Sequence, residues 1–183
     1  MDEYKIYSIT DEYINYLRVA EPNVYSNKQD NRTHTRKYIG TVLEINNMKY
    51  FIPMSSPKNS DYQKAGNSLV IKKSIVPIIR IIEKSNGIKQ LKGTLRISHM
   101  IPVPESELEL YDLDNEPDTD YKALVQSEVV FIRKNSTKIK SYAELLYKQK
   151  KANDETAGYV KTALDYEKLE ALCKDFKKLK DFN

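Results

Sequence analysis

The sequence contains little of what most cofactor and metal chemistry requires. Its 183 residues include five glycines, two histidines, one cysteine and no tryptophan. No Gly-rich phosphate-binding motif is present, and a single cysteine excludes an internal disulfide framework and any multi-cysteine zinc site. Two histidines make a His-rich metal centre a poor fit. We therefore expect neither a cofactor nor a metal, which leaves hydroxyl, ammonium, guanidinium and phenol groups for chemistry.

Long apolar runs are also missing. The longest, 75–82, is interrupted by Pro77 and Arg80, whereas a membrane-spanning helix needs about 20 predominantly apolar residues. The N-terminal residues MDEYKIYS contain acids and no apolar signal segment. These features predict a cytoplasmic protein with no membrane partner. The length and the 40% hydrophobic content predict a single domain over residues 1–183.

Charge is distributed unevenly along the chain. The net charge of +4 conceals basic segments at 28–37 and 133–151 and an acidic segment at 105–120. Basic side chains bind phosphates and aromatic rings stack on unpaired bases, so the basic segments are candidate RNA-binding surfaces. Their candidate residues are Lys28, Arg32, His34, Lys37, Arg133, Lys134, Lys138, Lys140, Tyr147 and Lys148. The alternative for each segment is a solvated loop or helix face. The acidic segment lacks calcium-loop spacing, which favours an exposed loop or helix over a metal site.

Strand patterns fill the first half of the chain and helix patterns the second, which predicts an α+β fold. The β-branched and aromatic segments 38–45 and 48–53, joined by Asn46 and Asn47, predict a hairpin. Further strands are predicted at 69–72, 75–82, 94–97 and 99–103. Helices are predicted after Thr10, after Thr119, over 138–151 and after Asp165, with a short acidic helix over 105–113 and a mobile loop over 59–68.

The strongest candidate for chemistry is Ser55-Ser56-Pro57-Lys58, which directly follows the hairpin. Two hydroxyls can donate hydrogen bonds to one phosphate while the lysine supplies positive charge. The same composition is also ordinary for a loop. Arg36 can clamp a phosphate with two parallel hydrogen bonds or remain a solvated loop residue.

Other reactive side chains have two interpretations each. Tyr13 lies on the apolar side of the first predicted helix, where a core tyrosine is the alternative to a site residue. His34 can act as an acid or base near neutrality, or be an inert loop residue. His99 fits a satisfied core or edge histidine, and Cys173 has the helical spacing of a buried residue.

Several segments, taken in order, resemble the ToxN/AbiQ family, particularly its AbiQ and CptN-type members. These are the protein toxins of type III toxin–antitoxin and phage abortive-infection systems. The segments are YSITDEYINYL (7–17), YIGTVLEI (38–45), KYFIPMSSPK (49–58), LRISHMIPV (95–103) and FIRKNSTKI (131–139). The resemblance covers most of the chain.

The resemblance implies a compact, twisted antiparallel β core flanked by helices, similar to the MazF/Kid toxin fold. It implies a metal-independent, sequence-specific endoribonuclease that cuts single-stranded cellular or phage RNA. The partner would be an RNA antitoxin, made from tandem repeats and folded as pseudoknots, which the toxin processes and which then inhibits it. No protein oligomer is required. A non-catalytic RNA-binding protein, or a metal-dependent nuclease built on the acidic segment, is the alternative.

The family's site residues correspond to Tyr13, Arg36, Ser55, Ser56 and Lys58 in this sequence. Ser55 stands where many members have threonine, and Arg32 where some have tyrosine. The expected reaction is attack of the RNA 2′-hydroxyl on the adjacent phosphorus, leaving a 2′,3′-cyclic phosphate and a 5′-hydroxyl. The protein then has to align the reacting groups and stabilise developing charge.

Overall fold

The computed structural model describes residues 4–28 and 33–181, and within these ranges the chain forms nine strands and four helices. The strands are β1 (Lys5–Ile9), β2 (Tyr38–Ile45), β3 (Met48–Ser55), β4 (Tyr62–Ala65), β5 (Ser68–Ile71), β6 (Ile79–Ser85), β7 (Ile88–Leu95), β8 (Ile101–Pro102) and β9 (Leu108–Leu110). The helices are α1 (Asp11–Ala20), α2 (Thr119–Lys134), α3 (Ser136–Lys151) and α4 (Tyr166–Asp181). The predicted α+β fold is confirmed, whereas the likeness to the MazF/Kid fold stays a prediction.

Seven of these strands form one antiparallel sheet in the order β6-β7-β3-β2-β1-β9, with β8 also paired to β3. Two different strands therefore share one side of β3. Tyr50 and Phe51 pair with β8, while Met54 and Ser55 pair with Leu95 and Thr94 of β7. This arrangement holds the last residues of β3 in the sheet and fixes where the following loop begins.

The predicted hairpin is confirmed as β2–β3. Its turn residues Asn46 and Asn47 have φ of 52° and 60°, the left-handed conformation that asparagine tolerates better than most residues. Strand β3 continues through Pro53 to Ser55, two residues beyond the predicted end. Pairing resumes after the proline because the backbone N–H of Met54 donates to Lys37 at 2.8 Å.

Two local predictions are wrong. Segment 59–68 is a 3-10 turn followed by strand β4 and the turn to β5, because Gly66 adopts a φ of +60° that closes a tight hairpin. Segment 105–113 is a 3-10 turn followed by β9 rather than an acidic helix. Strand β9 covers the edge of β1, and the N–H of Tyr111 donates to the carbonyl of Ile6 at 3.0 Å.

The remaining boundaries shift by a few residues. Strand β7 begins before the predicted 94–97, and 97–99 is a 3-10 turn ahead of the short β8. Asp118, rather than Thr119, caps α2 by accepting from the N–H groups of residues 120 and 121. Asp165 caps α4 as predicted, since its carboxylate accepts from the N–H of Lys168 at 3.1 Å.

Helices cover the sheet at different strands. Helix α2 contacts β6 and β7, α3 contacts β2, and α4 contacts β8 and α1. The core between these layers is rich in fully buried tyrosine, including Tyr13, Tyr38, Tyr50 and Tyr166, and Cys173 is buried as predicted. Across the described ranges, no helix is both long and apolar enough to traverse a bilayer.

Candidate active site

A pocket of about 410 Å³ lies where the end of β3, strand β7, helix α2 and residues 33–37 meet. Its walls are Thr33, His34, Thr35, Lys37, Met54, Ser55, Ser56, Pro57, Lys58, Lys92, Tyr121, Leu124, Val125 and Glu128. The structure therefore brings the predicted Ser55–Lys58 loop together with His34 and Lys37.

Ser55 is held at the base of this pocket by a buried arginine. The Nη1 of Arg36 donates to Ser55 Oγ at 2.9 Å and to the Met54 carbonyl at 3.0 Å, and its Nε donates to the Ser26 carbonyl at 3.0 Å. Arg36 is only 4% exposed and lies over the ring of Tyr25. Its charge therefore acts from behind the Ser55 hydroxyl, not as an open clamp at the surface.

Ser56 and Lys58 are exposed on the loop after β3, and a buried carboxylate fixes that loop. Asp61 Oδ2 accepts from the backbone N–H of Lys58 at 3.0 Å, and the N–H of Asp61 donates back to the Lys58 carbonyl at 2.9 Å. The same carboxylate pairs with Arg80 at 3.2 Å and Arg96 at 3.6 Å. The Lys58 side chain therefore starts from a backbone tied to the sheet.

Tyr13 does not reach the pocket, which corrects the expectation that it positions RNA. Its side chain has no exposed surface, and its hydroxyl donates to the Pro102 carbonyl at 2.7 Å. Its ring meets Phe176 edge-on at 4.9 Å, and burial raises the pKa of its hydroxyl. Tyr13 is a core residue that joins α1 to β8 and α4.

Several basic residues of the segment before β2 make contacts with other side chains of the protein. His34 stacks on Tyr121 at 3.7 Å, and its Nε2 lies 3.2 Å from Asp118 Oδ2. The Lys37 ammonium donates to Ser8 Oγ at 3.1 Å, and burial lowers its pKa. Lys28 is exposed and pairs with an aspartate of α1. Arg32 lies outside the described residues.

The second basic segment faces other grooves. Arg133, Lys140 and Lys148 line a groove of about 950 Å³ between α3 and β2, and Lys134 lines one beside β6. Lys138 lies near the Tyr142 ring at 5.4 Å. These residues do not line the pocket that holds Ser56 and Lys58.

Tyr147 lines the groove between α3 and β2, but little of its ring is exposed for stacking on bases. The side chain is only 8% exposed, and its hydroxyl donates to Glu170 at 2.6 Å. Its ring stacks on Tyr166 at 5.6 Å. It joins α3 to α4 in the core.

Glu128, which lines the pocket from α2, is not among the site residues predicted from the sequence. The signal was available: Leu124, Val125 and Ile132 define an apolar stripe on that helix, and a glutamate at 128 falls on the same stripe. Burial raises the pKa of the Glu128 carboxyl to about 8. A perturbed acid in a cleft is typical of functional sites.

Several acids of segment 105–120 make structural contacts within the protein. Asp118 caps α2, Glu105 pairs with Lys49, and Glu116 accepts from Tyr111. In residues 4–28 and 33–181, no group of three or more His, Cys, Asp and Glu side chains is arranged to hold a metal ion.

The site thus groups hydroxyls, an exposed ammonium and a buried guanidinium at the end of a strand, the donor types that bind phosphate esters. A family profile described as toxin ToxN, type III toxin–antitoxin system, matches residues 5–174. The chain therefore belongs to the ToxN family of toxins.

Individual relatives match over nearly their whole length. The endoribonuclease ToxN of Pectobacterium atrosepticum is 33% identical over 174 residues, which cover 95% of this chain and 94% of that protein. The endoribonuclease AbiQ of Lactococcus lactis subsp. lactis is 33% identical over 178 residues, covering 97% and 92%.

Two solved structures share the fold. One is of a type III toxin–antitoxin system in which a non-coding RNA pseudoknot selectively inhibits the toxin. It aligns with a TM-score of 0.79 and 28% identity over 96% of this chain and 99% of that chain. The other is AbiQ, a lactococcal anti-phage endoribonuclease, with a TM-score of 0.77 and 27% identity over 97% and 99%.

Proposed function

We propose that this protein is the endoribonuclease toxin of a type III toxin–antitoxin system and that it cuts single-stranded RNA without a metal. The observation that carries the proposal is the loop at the end of β3. It places Ser56 and Lys58 at an open pocket while the buried Arg36 lies 2.9 Å from Ser55 Oγ. Family membership supports the same reaction class.

The chemistry uses the RNA's own nucleophile. The 2′-hydroxyl attacks the adjacent phosphorus, the bond to the 5′-oxygen breaks, and a 2′,3′-cyclic phosphate and a 5′-hydroxyl remain. The Ser56 hydroxyl donates to a non-bridging oxygen of the phosphate, and Lys58 neutralises the charge that develops there. Arg36 does not contact the phosphate and acts by orienting the Ser55 hydroxyl. Tyr13 supports the fold and touches no RNA.

The partner we propose is an RNA antitoxin processed from tandem repeats, which folds as a pseudoknot and inhibits the toxin after cleavage. A relative of similar structure is inhibited by an RNA pseudoknot. Here the exposed lysines of α3 and the groove beside β2 offer a second basic surface. A role in abortive infection by phage follows from the likeness to the anti-phage relative AbiQ.

The first test replaces the two exposed groups separately. We expect Ser56→Ala and Lys58→Ala each to reduce the cleavage rate of single-stranded RNA by about 100- to 1,000-fold, because each removes a donor to the transition state. Cleavage by the unsubstituted protein should persist in EDTA. Product ends are read by sequencing RNA that copurifies after co-expression with the upstream region.

Matched controls are Ser60→Ala and Lys64→Ala, which change exposed residues just beyond the loop. Full activity of both Ser56→Ala and Lys58→Ala would overturn the site assignment. Tight, salt-dependent RNA binding without any product would favour the alternative, a non-catalytic RNA-binding protein. Loss of cleavage in EDTA would remove the metal-independent mechanism.

A further inference from the structure

Glu128 is the one acidic side chain in the wall of the pocket that holds Ser56 and Lys58, within the described part of the chain. It projects from α2, which packs on β6 and β7. Its side chain is 7% exposed. The remaining surface opens into the pocket, where substrate would meet it.

A glycine on the neighbouring strand makes room for this carboxyl. A Cβ atom at Gly93 would lie 2.4 Å from Glu128 Oε1 and 3.2 Å from the Ser55 carbonyl oxygen. Real Cβ contacts are essentially never that short, so the carboxyl occupies the space of a side chain at position 93. The missing side chain therefore lets Glu128 approach the end of β3, beside Ser55.

No cation on the surrounding elements neutralises this carboxyl. Lys92 of β7 pairs with Glu83 of β6 at 3.0 Å, and Arg80 of β6 pairs with Asp61. The other charged or titratable groups in the pocket walls are Lys37, Lys58, His34 and Tyr121. Within the described residues Glu128 has neither an ion pair nor a hydrogen bond, and burial alone raises its pKa, to about 8. It is therefore an uncharged acid at neutral pH.

We propose that Glu128 is the general acid of the cleavage reaction, the group that protonates the departing 5′-oxygen. This inference rests on the proposed endoribonuclease function. The 2′-oxygen–phosphorus bond forms as the proton of the 2′-hydroxyl passes to water in the open pocket. The bond from phosphorus to the 5′-oxygen breaks, and the 5′-oxygen takes the proton of Glu128. The carboxylate regains a proton from solvent before the next turnover.

The test compares two leaving groups. The probe is an oligoribonucleotide spanning a site that the unsubstituted protein cuts, made with either oxygen or bridging sulfur at the scissile 5′ position. Thiolate leaves without protonation, so it removes the need for an acid. We expect Glu128→Gln to cut the oxygen substrate about 100-fold or more slowly and the sulfur substrate at close to the unsubstituted rate. Glutamine preserves shape and neutrality but carries no transferable proton.

Two further variants test the same inference, one by displacing the acid and one as a control at an exposed site. Gly93→Ala keeps the acid but displaces it, and we expect the same selective loss on the oxygen substrate. Glu155→Gln, which changes an exposed site between α3 and α4, should cut both substrates normally.

The pH dependence of cleavage gives a second measurement. In the unsubstituted protein, the logarithm of kcat/KM should bend near pH 8 as the acid ionises. That bend should be absent from Glu128→Gln.

The outcomes separate this inference from the proposed function. Equal slowing of both substrates in Glu128→Gln would assign the residue a structural role and overturn the inference, as would no slowing of either. If the unsubstituted protein cuts no RNA, so that no cleaved site exists from which to design the probe, the endoribonuclease function itself fails. Ser56→Ala is expected to be slow on both, because phosphate binding is needed whichever group departs.

Discussion

At the scale of single residues, His99 shows how neighbouring charge sets a protonation state. Its ring lies almost parallel to Tyr25, with centroids 4.2 Å apart and an angle of 17° between the planes. Burial, together with the positive charges of Arg96, Arg36 and Lys58, lowers the pKa of His99 to about 4. The folded protein therefore holds His99 neutral at pH values where the unfolded chain has bound a proton.

This shift predicts a pH-dependent stability. Between the unfolded value of 6.5 and the folded value of about 4, the unfolded state binds more protons, so stability falls as pH falls through this window. Glu128, whose pKa is raised, acts in the opposite sense. We therefore expect the stability difference between the unsubstituted protein and His99→Gln to change by about 2 kcal/mol between pH 7 and pH 5. Urea unfolding measures it, and an unchanged difference at the two pH values would contradict it.

The position of candidate residues at the pocket was predictable where the chemistry of the side chains and their place after a strand coincide, and their roles stay predictions. Ser55, Ser56 and Lys58 follow a strong hairpin signal, and strand ends are where scaffolds present reactive groups. The tyrosines were not predictable, because a ring on an amphipathic helix fits a core and a binding face equally well. The partner of the Tyr13 hydroxyl is 89 positions away, and that of Tyr147 is 23 away. Only the folded chain shows that these hydroxyls are satisfied internally.

At the scale of elements, a helix or strand could be predicted from the sequence where residues within that element stabilise it. The hairpin was predicted because its turn residues, Asn46 and Asn47, lie within it, and the helices of the second half were predicted because their apolar residues recur at helical spacing. The prediction of a helix over 105–113 was wrong because the strand found there, β9, forms by pairing with β1, about a hundred residues earlier in the chain. The prediction for 59–68 was wrong for a related reason, since buried Asp61 anchors that segment to Arg80 of β6 and to Arg96, which directly follows β7.

The loop anchor at Asp61 leads to a prediction about an element. Asp61→Asn leaves Arg80 and Arg96 buried without their carboxylate, and loss of one member of a buried ion pair costs about 3–5 kcal/mol. We expect that loss of stability, and a fall in cleavage rate because a single uncharged amide oxygen cannot both accept from the Lys58 N–H and pair with the two arginines, so the loop that carries Lys58 is held less firmly. Urea unfolding and an RNA cleavage assay at low temperature, where the variant is still folded, measure the two effects.

The matched control is Asp114→Asn, which removes the same charge from an exposed site. It should change stability by less than about 0.5 kcal/mol. If Asp61→Asn folds as stably as this control, the carboxylate is not the anchor of the loop. If it is destabilised but cleaves at the normal rate, the anchor supports the fold without positioning Lys58.

At the scale of the whole molecule, charge is divided between faces more than the net value of +4 suggests. Many acids of segment 105–120 are engaged by caps and pairs within the protein, as with Asp118 and Glu105. Lys138, Lys140 and Lys148 of α3 remain exposed, and the last two line a groove of about 950 Å³. A small net charge is therefore compatible with a face that attracts a polyanion.

This distribution of charge predicts that the position of the basic residues, and not the net charge of the protein, determines the affinity for RNA. In a Ser56→Ala background, which we expect to slow cleavage, replacing Lys138, Lys140 and Lys148 by glutamine should weaken binding of a single-stranded oligoribonucleotide. The slope of log Kd against log salt should fall by about 2, since each lost phosphate contact on a single strand accounts for about 0.7. Neutralising Lys174, Lys177 and Lys178 on α4 makes the same change in net charge at other exposed sites. That control should leave the slope nearly unchanged, and equal slopes in the two triple variants would show that only net charge matters.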